Sequence, residues 1–593
     1  MPEPTKIKIL PENLINQIAA GEVVDRPASV VKELVENSLD SGATDITVIV
    51  QDGGKGLIRV VDNGSGMSQS DLLLAFQRHA TSKIFEYEDL TNITTLGFRG
   101  EALASIASVA RVEAKTVQEG EPSGHLIRVD GGMMSGVEVA AGTPGTSISV
   151  KHLFYNTPAR RKFLRARNTE YRQLLQVMNR FYLAYPEVAF TFVNEDEVIT
   201  ELKPQTQEER IRVVLGPRIQ KNLLRIDNEG EVSIRGYIGN QDAMRRSRGD
   251  QYLYYNRRYF TSRNLNYAVT AAYGEILPRG SFPVYLIFID LPPERVDVNV
   301  HPTKMEIKFD NEPLVFASIR GSIKRVLTSV RAIPDISPFS TMQSFQPRPH
   351  QGTFMPSGGS AMHREAPAQI SAFELPEWNR SAPAGQVPAR ETGQIRQEPS
   401  QARSFERTNV WQIHNRYIIS QIKNGMIIID QHVAHERILY EKALDSFEKR
   451  KPSPQQLLFP QVVELSTEDY SLLLEITPFL QNIGFIIKAF GNNTVAIEAV
   501  PSGIRLNDDE TALLDILDEY KRGKRDNTEI RENIAASFAC HTAIRSGEPL
   551  NLEEMNALID DLFSTKEPYF CPHGRPVIIH VPLDELDRRF KRI

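Results

Sequence analysis

The stretch KELVENSLDSGAT, Lys32 to Thr44, decides how the rest of the chain is read. At about 100° per residue, Val31, Leu34, Val35, Ser38 and Leu39 fall on one side of a helix. Glu33, Asn37 and Asp40 fall in a narrow strip on the other. An ordinary solvated face mixes both signs, because acid–base pairs four residues apart stabilise it. Two carboxylates and an amide with no lysine between them are also what a site for metal and phosphate presents. The helix alone leaves both readings open, and its surroundings decide between them.

The helix runs into TDITVIVQDGGKGLIRVVDNGSGM. ITVIV and LIRVV are strand-like runs joined by the turn DGGKG. The second strand ends in Asp62-Asn63-Gly64-Ser65-Gly66. This D-x-G-x-G turn sets a carboxylate, able to accept from an exocyclic amine, beside bare backbone that a flat base can approach. Further on, Gly97-Phe98-Arg99-Gly100-Glu101-Ala102-Leu103 opens a helix of small and apolar residues. Free N–H groups at such a glycine-led start form an anion site. His79, Thr81, Ser82 and Lys83 add donors on the preceding loop, and Gly145 and Thr146 precede another strand. No G-x-x-x-x-G-K-[ST] string is present, so a Walker-type phosphate loop is excluded. Each glycine singly reads as a plain turn; the ordered set carries the weight.

The chain has 593 residues, enough for two or three domains. Its hydrophobic share of 41% and charged share of 24% are those of a soluble globular protein. A net charge of −6 excludes a general polycation, so nucleic-acid contact would need local basic patches. Two cysteines, Cys540 and Cys571, exclude a disulfide scaffold and fit a reducing compartment. No run of 18 apolar residues and no signal-peptide pattern occur, so a cytoplasmic protein without membrane contact is expected. Between Ser337 and Ser404, prolines recur with Gln, Ser, Gly and Ala, and Lys and Asp are missing. Such a stretch buries too little apolar surface to offset its chain entropy. As a coil, it would span roughly 40–50 Å on average. The expected division is 1–215 and 216–336 for two α/β subdomains, 337–404 for a disordered linker and 405–593 for a C-terminal α/β domain.

The 216–336 region ends in RVDVNVHPTKMEIKF, a strand, turn and strand that puts Lys304 on the turn. Its MRRSRGDQYLYYNRRYFTSR run carries Arg245, Arg246, Arg248, Arg257, Arg258 and Arg263 among tyrosines, and ARRKFLRAR carries Arg161 and Lys162. These are candidate phosphate-backbone contacts with little base preference, or solvated faces.

In the C-terminal region, NGMIIIDQHVAHERILYEK reads as a strand ending at Asp430 followed by a helix. His432 and Glu436 lie one turn apart on that helix, a spacing that suits a transition metal. Asp430 is a further ligand or the helix cap, and Glu441 falls off the same face. Cys571 and His573, two apart in YFCPHGRP, would point the same way in an extended segment. Asp430, His432, Glu436, Cys571 and His573 are therefore the candidate metal set. QQLLFP, Gln455 to Pro460, is either a buried strand or a short docking motif.

The strings NQIAAGEVVDRPASVVKELVENSLDSGAT, DNGSGM, RHATSK and LGFRGEALASI resemble the MutL family of DNA mismatch-repair proteins, within the GHKL ATPase superfamily. The resemblance is dense over roughly residues 10–160 and continues to about 330. It implies a GHKL α/β-sandwich ATPase, a second α/β subdomain and a C-terminal dimerisation domain. It also implies roles: Glu33 as general base, Asn37 on Mg²⁺, Asp62 on the adenine amine, with Gly64 and Gly66 in its turn. Thr81, Ser82, Lys83 and Gly97 to Leu103 would cradle the phosphates of ATP, Thr146 would support the base pocket, and Lys304 would reach the γ-phosphate. The Asp430–Glu441 string resembles the D-Q-H-A-x-x-E-x-x-x-x-E signature of the nicking branch, with Val433 for the usual alanine. That branch implies a latent endonuclease, with Zn²⁺ as structural metal and Mn²⁺ or Mg²⁺ for cleavage. Gln455, Leu458 and Pro460 match the Q-x-x-L-x-P pattern for the replication sliding clamp. A homodimer, a MutS mismatch-recognition partner, largely sequence-independent DNA binding and recruitment to the nucleoid complete the expectation. The alternative is a matchmaker that does not cut DNA and whose metal is purely structural.

Overall fold

The computed structural model describes residues 21, 23–86, 89, 93–278, 280–298, 305–331, 410–449, 454–491, 493–501, 509–523 and 530–592. The predicted linker 337–404 and Lys304 lie outside them.

The opening helix spans Pro27–Asp40, with proline in its first turn, where the missing N–H costs nothing. Val30, Val31, Leu34 and Val35 are buried, as the period requires. They pack on a mixed sheet that counts nine strands among the described residues. Its central hairpin, Asp45–Gln51 and Leu57–Asp62, is antiparallel in register from Ile46↔Asp62 to Gln51↔Leu57. Leu57–Asp62 in turn pairs with Gly145–Lys151, bringing Asp62 opposite Thr146. On the other side, Asp45–Gln51 pairs in parallel with Ala189–Asn194. The sheet thus sets Asp62 and Thr146 together beside the helix, where Asp62 meets Ser38.

A second sheet of five strands runs, in spatial order, Leu223–Asn228, Ser233–Gly239, Tyr285–Asp290, Gln251–Tyr255 and Arg258–Phe260. Helices Arg263–Tyr273 and Glu312–Arg331 pack together beside it around Leu265, Val269, Ile319 and Ile323. The two sheets share apolar contacts: Tyr252, Tyr254, Val284 and Leu286 join the core of the first. Tyr254 Oη donates to the Arg180 carbonyl at 2.8 Å.

The C-terminal residues form a four-stranded sheet, Val410–Ile413, Tyr417–Ile422, Gly425–Asp430 and Ile578–Pro582, and a three-stranded one. Helix Gln431–Lys449 follows directly on the strand that ends at Asp430 and packs against Ile530–Thr542. In the three-stranded sheet, Pro454–Glu464 breaks register between Gln456 and Gln461. Leu458 and Phe459 therefore bulge out, 89% and 77% exposed, so a buried strand is ruled out for them. Among the described residues, no helix is long and apolar enough to cross a membrane.

Candidate nucleotide and metal sites

A cavity of about 650 Å³ opens beside the first helix. Its lining includes Glu33, Asn37, Asp40, Asp62, Gly66, Thr81, Ser82, Lys83, Gly97 to Leu103, and Thr146. Of the nucleotide-site residues expected from sequence and lying in the described part, Gly64 alone is absent from that lining. It lies in the turn above, where an added Cβ would meet Ser41 Oγ at 2.0 Å.

At one end of the cavity, Asp62 Oδ2 accepts from Ser38 Oγ at 2.7 Å, while Oδ1 accepts from the Gly64 and Thr146 amides. These donors fix the carboxylate's plane. Thr116 Oγ1 links this corner to Thr146 Oγ1 at 3.1 Å and accepts from the Met67 amide. At the other end, Asp40 receives the Leu96 and Gly97 amides at 2.9 and 2.8 Å and pairs with Lys83 at 2.6 Å. Lys83 Nζ also donates to Asn37 Oδ1 at 3.1 Å. Asp40 therefore ties the start of the glycine loop to the helix. Gly100 turns with φ of 62°, and a Cβ there would meet the Ala80 carbonyl oxygen at 2.4 Å, so the turn requires glycine. Earlier on the same helix, Glu33 accepts from Lys32 at 2.8 Å, and Glu36 lies 3.0 Å from the same ammonium. Burial alone would lower Lys32, but the two carboxylates outweigh it and hold the ammonium above the usual lysine range.

The basic residues divide. Arg161 and Lys162 lie exposed on the short helix Pro158–Phe163, and Arg263 is exposed at the start of its helix. Arg257 occupies a hairpin turn with φ of 62°, exposed and ion-paired with Glu187. Arg258, next in the strand, points the opposite way and is only 6% exposed. Arg245 is likewise buried, against Asp250, Asp469 and Asp518. Neither Arg245 nor Arg258 is available to a phosphate backbone in this fold, which corrects the expectation for both. Except for Asp250, five residues on from Arg245, their partners lie across the tertiary structure, out of reach of any local pattern.

In the C-terminal region, Glu436, Cys571 and His573 bring one ligand atom each within 4.8 Å of one another. Glu436 and Cys571 are 1% and 4% exposed. Asp430 and His432 fall outside this group. Asp430 Oδ1 accepts from the His432 and Val433 amides and so caps the helix. His432 Nδ1 bonds to the Ile544 carbonyl at 2.8 Å. Glu441, expected off the metal face, pairs with Arg437 and accepts from the Lys566 and Glu567 amides. Cys571 and His573 converge through a tight turn rather than the extended segment expected: the Gly574 amide donates to the Cys571 carbonyl at 2.9 Å. The Cys571 sulfur and the Glu436 carboxylate push the His573 imidazole up to about 10. Glu436 Oε1 lies 2.7 Å from His573 Nδ1 yet outside hydrogen-bond geometry, leaving a buried carboxylate oxygen unsatisfied. A sulfur, a nitrogen and an oxygen donor on one centre fit zinc better than Mg²⁺ or Mn²⁺, which favour all-oxygen shells. Cys540 stays apart, with burial pushing its thiol up to about 11.

A mixed sheet that sets an aspartate and a glycine-led helix around a nucleotide-sized cavity defines an ATPase of the GHKL class. Residues 25–139 match the family model described as histidine kinase-, DNA gyrase B- and HSP90-like ATPase. Residues 211–328 match the DNA mismatch repair protein C-terminal domain, and 410–550 the MutL C-terminal dimerisation domain. A curated relative, the DNA mismatch repair protein MutL of Chlorobium phaeobacteroides strain BS1, is 41% identical over 99% of this chain and 100% of its own. The MutL of Chlorobium phaeovibrioides is 42% identical over 98% and 99%. Among solved structures, the Aquifex aeolicus MutL ATPase domain complexed with ADP aligns with a TM-score of 0.35 at 29% identity, over 46% of this chain and 94% of that one. The chain belongs to the MutL family of DNA mismatch-repair proteins. Its ATPase domain uses ATP and Mg²⁺, and its C-terminal domain is the one that makes the homodimer.

Proposed function

We propose that this protein couples ATP turnover in its N-terminal region to metal-dependent nicking of DNA by its C-terminal region. In this reading a MutS-type mismatch-recognition protein loads it onto DNA, and the sliding clamp directs it. The observation that carries the nicking half is the Glu436–Cys571–His573 group, two buried donors and an exposed imidazole. At the ATP site, Glu33 orients and deprotonates the attacking water, and Asn37 helps hold Mg²⁺. Asp62 and Thr146 bind the adenine, and Lys83 with the Gly97–Leu103 amides holds the phosphates. Lys304 completes the γ-phosphate contacts. Phosphoryl transfer chiefly needs positioning, charge neutralisation and an oriented water, which this donor set supports. Arg161, Lys162, Arg257 and Arg263 are the exposed cations suited to the DNA backbone.

When bound, a divalent ion in the C-terminal group would draw charge from a phosphate and acidify water. Glu436, Cys571 and His573 would hold zinc, with Asp430 and His432 one turn away along the same helix start. The place of those two outside the three-donor group favours a second reading, in which the zinc is structural and the protein is a non-cutting matchmaker. Nicking of supercoiled DNA by the full-length protein in Mn²⁺ separates them. Under the first reading, Glu436→Gln and Asp430→Asn reduce nicking to background while ATP hydrolysis persists. Wild-type protein that retains zinc but never nicks would leave the matchmaker standing. Cys571→Ser is expected to reduce zinc retention at least tenfold, measured by elemental analysis after dialysis against chelator.

The protruding Leu458 and Phe459 support clamp docking, since large apolar side chains at that exposure are anchors waiting for a pocket. Leu458→Ala with Phe459→Ala is expected to weaken clamp binding at least tenfold without lowering the melting temperature. Undiminished binding, measured by surface plasmon resonance, would remove QQLLFP from that role.

A further inference from the structure

Arg258 stands in the second sheet, but its hydrogen bonds are spent on the nucleotide loop. Nη2 donates to the Thr95 carbonyl at 2.9 Å and to the Leu96 carbonyl at 2.7 Å. The amides on the opposite side of that peptide segment, Leu96 and Gly97, are the two that donate to Asp40. Thr95 Oγ1 closes the segment by donating to the Gly97 carbonyl at 2.7 Å. Three residues leading into the glycine turn are thus gripped from both sides: by a carboxylate of the first helix on their amides and by a guanidinium of the second sheet on their carbonyls. Leu96, Gly97 and Phe98 are themselves buried, so the segment has no solvent to fall back on.

Geometry explains why this arginine reaches so far. The hairpin Gln251–Tyr255 and Arg258–Phe260 closes on Asn256 and Arg257, with φ of 45° and 62°. The turn throws Arg257 outward, and strand alternation sends Arg258 inward. Tyr254, on the facing strand, anchors the hairpin to the Arg180 carbonyl and sits within the first core. Arg258 Nη1 is also buried and takes no protein partner. It lines a cavity of about 30 Å³, roughly the room of one water, shared with Lys32, Glu36, Leu96, Tyr254 and Met305. A guanidinium that forgoes one bond to make two with these carbonyls is aimed at the loop.

We propose that Arg258 is a positioning residue of the ATPase. It fixes the Thr95–Gly97 segment so that the amides of the following turn face the phosphates, and it makes that alignment depend on how the second sheet is seated. Arg257, its exposed neighbour, puts the same hairpin within reach of whatever binds the outer face. The residue touches no reacting atom. Its effect passes through the loop, where a shift of about 1 Å is enough to cost on the order of 10²-fold in rate.

The test is ATP turnover by the full-length homodimer in Arg258→Lys, Arg258→Gln and Arg258→Ala, with ADP affinity and melting temperature measured alongside. Expected is a fall in kcat of about tenfold for lysine, which reaches one carbonyl without the planar fork, and 10- to 100-fold for glutamine and alanine. KM and the ADP dissociation constant stay within about threefold, because Asp62 and Thr146 are untouched. Unchanged kcat in a folded glutamine variant would overturn the proposal. So would a loss of kcat, ADP affinity and melting temperature together in both the lysine and glutamine variants, which is the mark of a merely structural residue. Alanine that fails to fold leaves the decision to the other two. A wild-type protein without ATP turnover would count against the ATPase assignment itself, a separate failure visible in the control.

Discussion

Replacing Glu33 with alanine should leave ATP bound and slow its hydrolysis by about 10²–10⁴-fold, the usual worth of a positioned general base. The helix brings the Glu33 carboxylate to the cavity wall, about one to two turns before Ser38, which holds Asp62, and Asp40, which pairs with Lys83. The substitution leaves Asp62, Asp40 and Lys83 in place. It also leaves the helix intact: alanine is the best helix former, and the buried Lys32 keeps Glu36 as its counter-ion at 3.0 Å. A carboxylate that instead served only to neutralise Lys32 would predict a folding defect with normal turnover in whatever protein survives. Asp62→Ala supplies the contrast. It deletes the acceptor of Ser38, Gly64 and Thr146 and should abolish nucleotide binding rather than turnover alone. Single-turnover hydrolysis paired with equilibrium binding of ATP separates the outcomes; full turnover by Glu33→Ala would remove Glu33 from the base role.

What the sequence makes legible is what depends on short-range order. The helix, the hairpin and the two glycine turns follow one another within about 75 residues, and each is written in local periodicity or in a backbone requirement such as that of Gly100. The single polar strip on the helix could be read as a site because the hairpin ending in Asp62 and the glycine loop both follow it closely in the chain. Direction of pointing is legible only where a period fixes it. Arg257 and Arg258 look alike in a basic run, yet the turn sends one to solvent and the other to a loop more than 160 residues earlier. The metal group suffers in the same way. One-turn spacing placed His432 and Glu436 on one helix face but could not say that Glu436 would meet Cys571 and His573, while Asp430 caps the helix and His432 Nδ1 bonds to the Ile544 carbonyl. For Cys571 and His573, the Cys-Pro-His-Gly order carried the signal of a turn, since proline and glycine bracket it. The extended reading overlooked that signal.

Arg245 marks the second large effect, one of stability. Its guanidinium is buried with Nη2 3.1 Å from Asp469, Nε 3.2 Å from Asp250 and Nη1 3.5 Å from Asp518. Lys521 also pairs with Asp469. Three carboxylates and two cations share the cluster, joining the second sheet to helices Thr467–Ile483 and Asp509–Gly523. Burial alone would raise Asp469, but Lys521 and Arg245 outweigh it and hold its carboxyl well below the usual range. Arg245→Met keeps the volume and removes the charge, leaving three acids to one lysine. The cost of stranding buried partners in this way is about 3–5 kcal/mol, much larger than that of an exposed pair. The pH dependence has a definite sign. A depressed carboxyl contributes stability above its unfolded value of about 3.9 and loses it as pH falls through the folded value. Acid should therefore weaken the wild-type cluster, while Arg245→Met, already without the ion pair, should show a shallower acid limb. Asp250, which burial raises, opposes this and softens the wild-type slope. Chemical denaturation across pH 3–7, followed by circular dichroism, reads both terms. A variant as stable as wild type at pH 7 would mean that these acids find other partners, and that the cluster does not hold the second sheet to those helices.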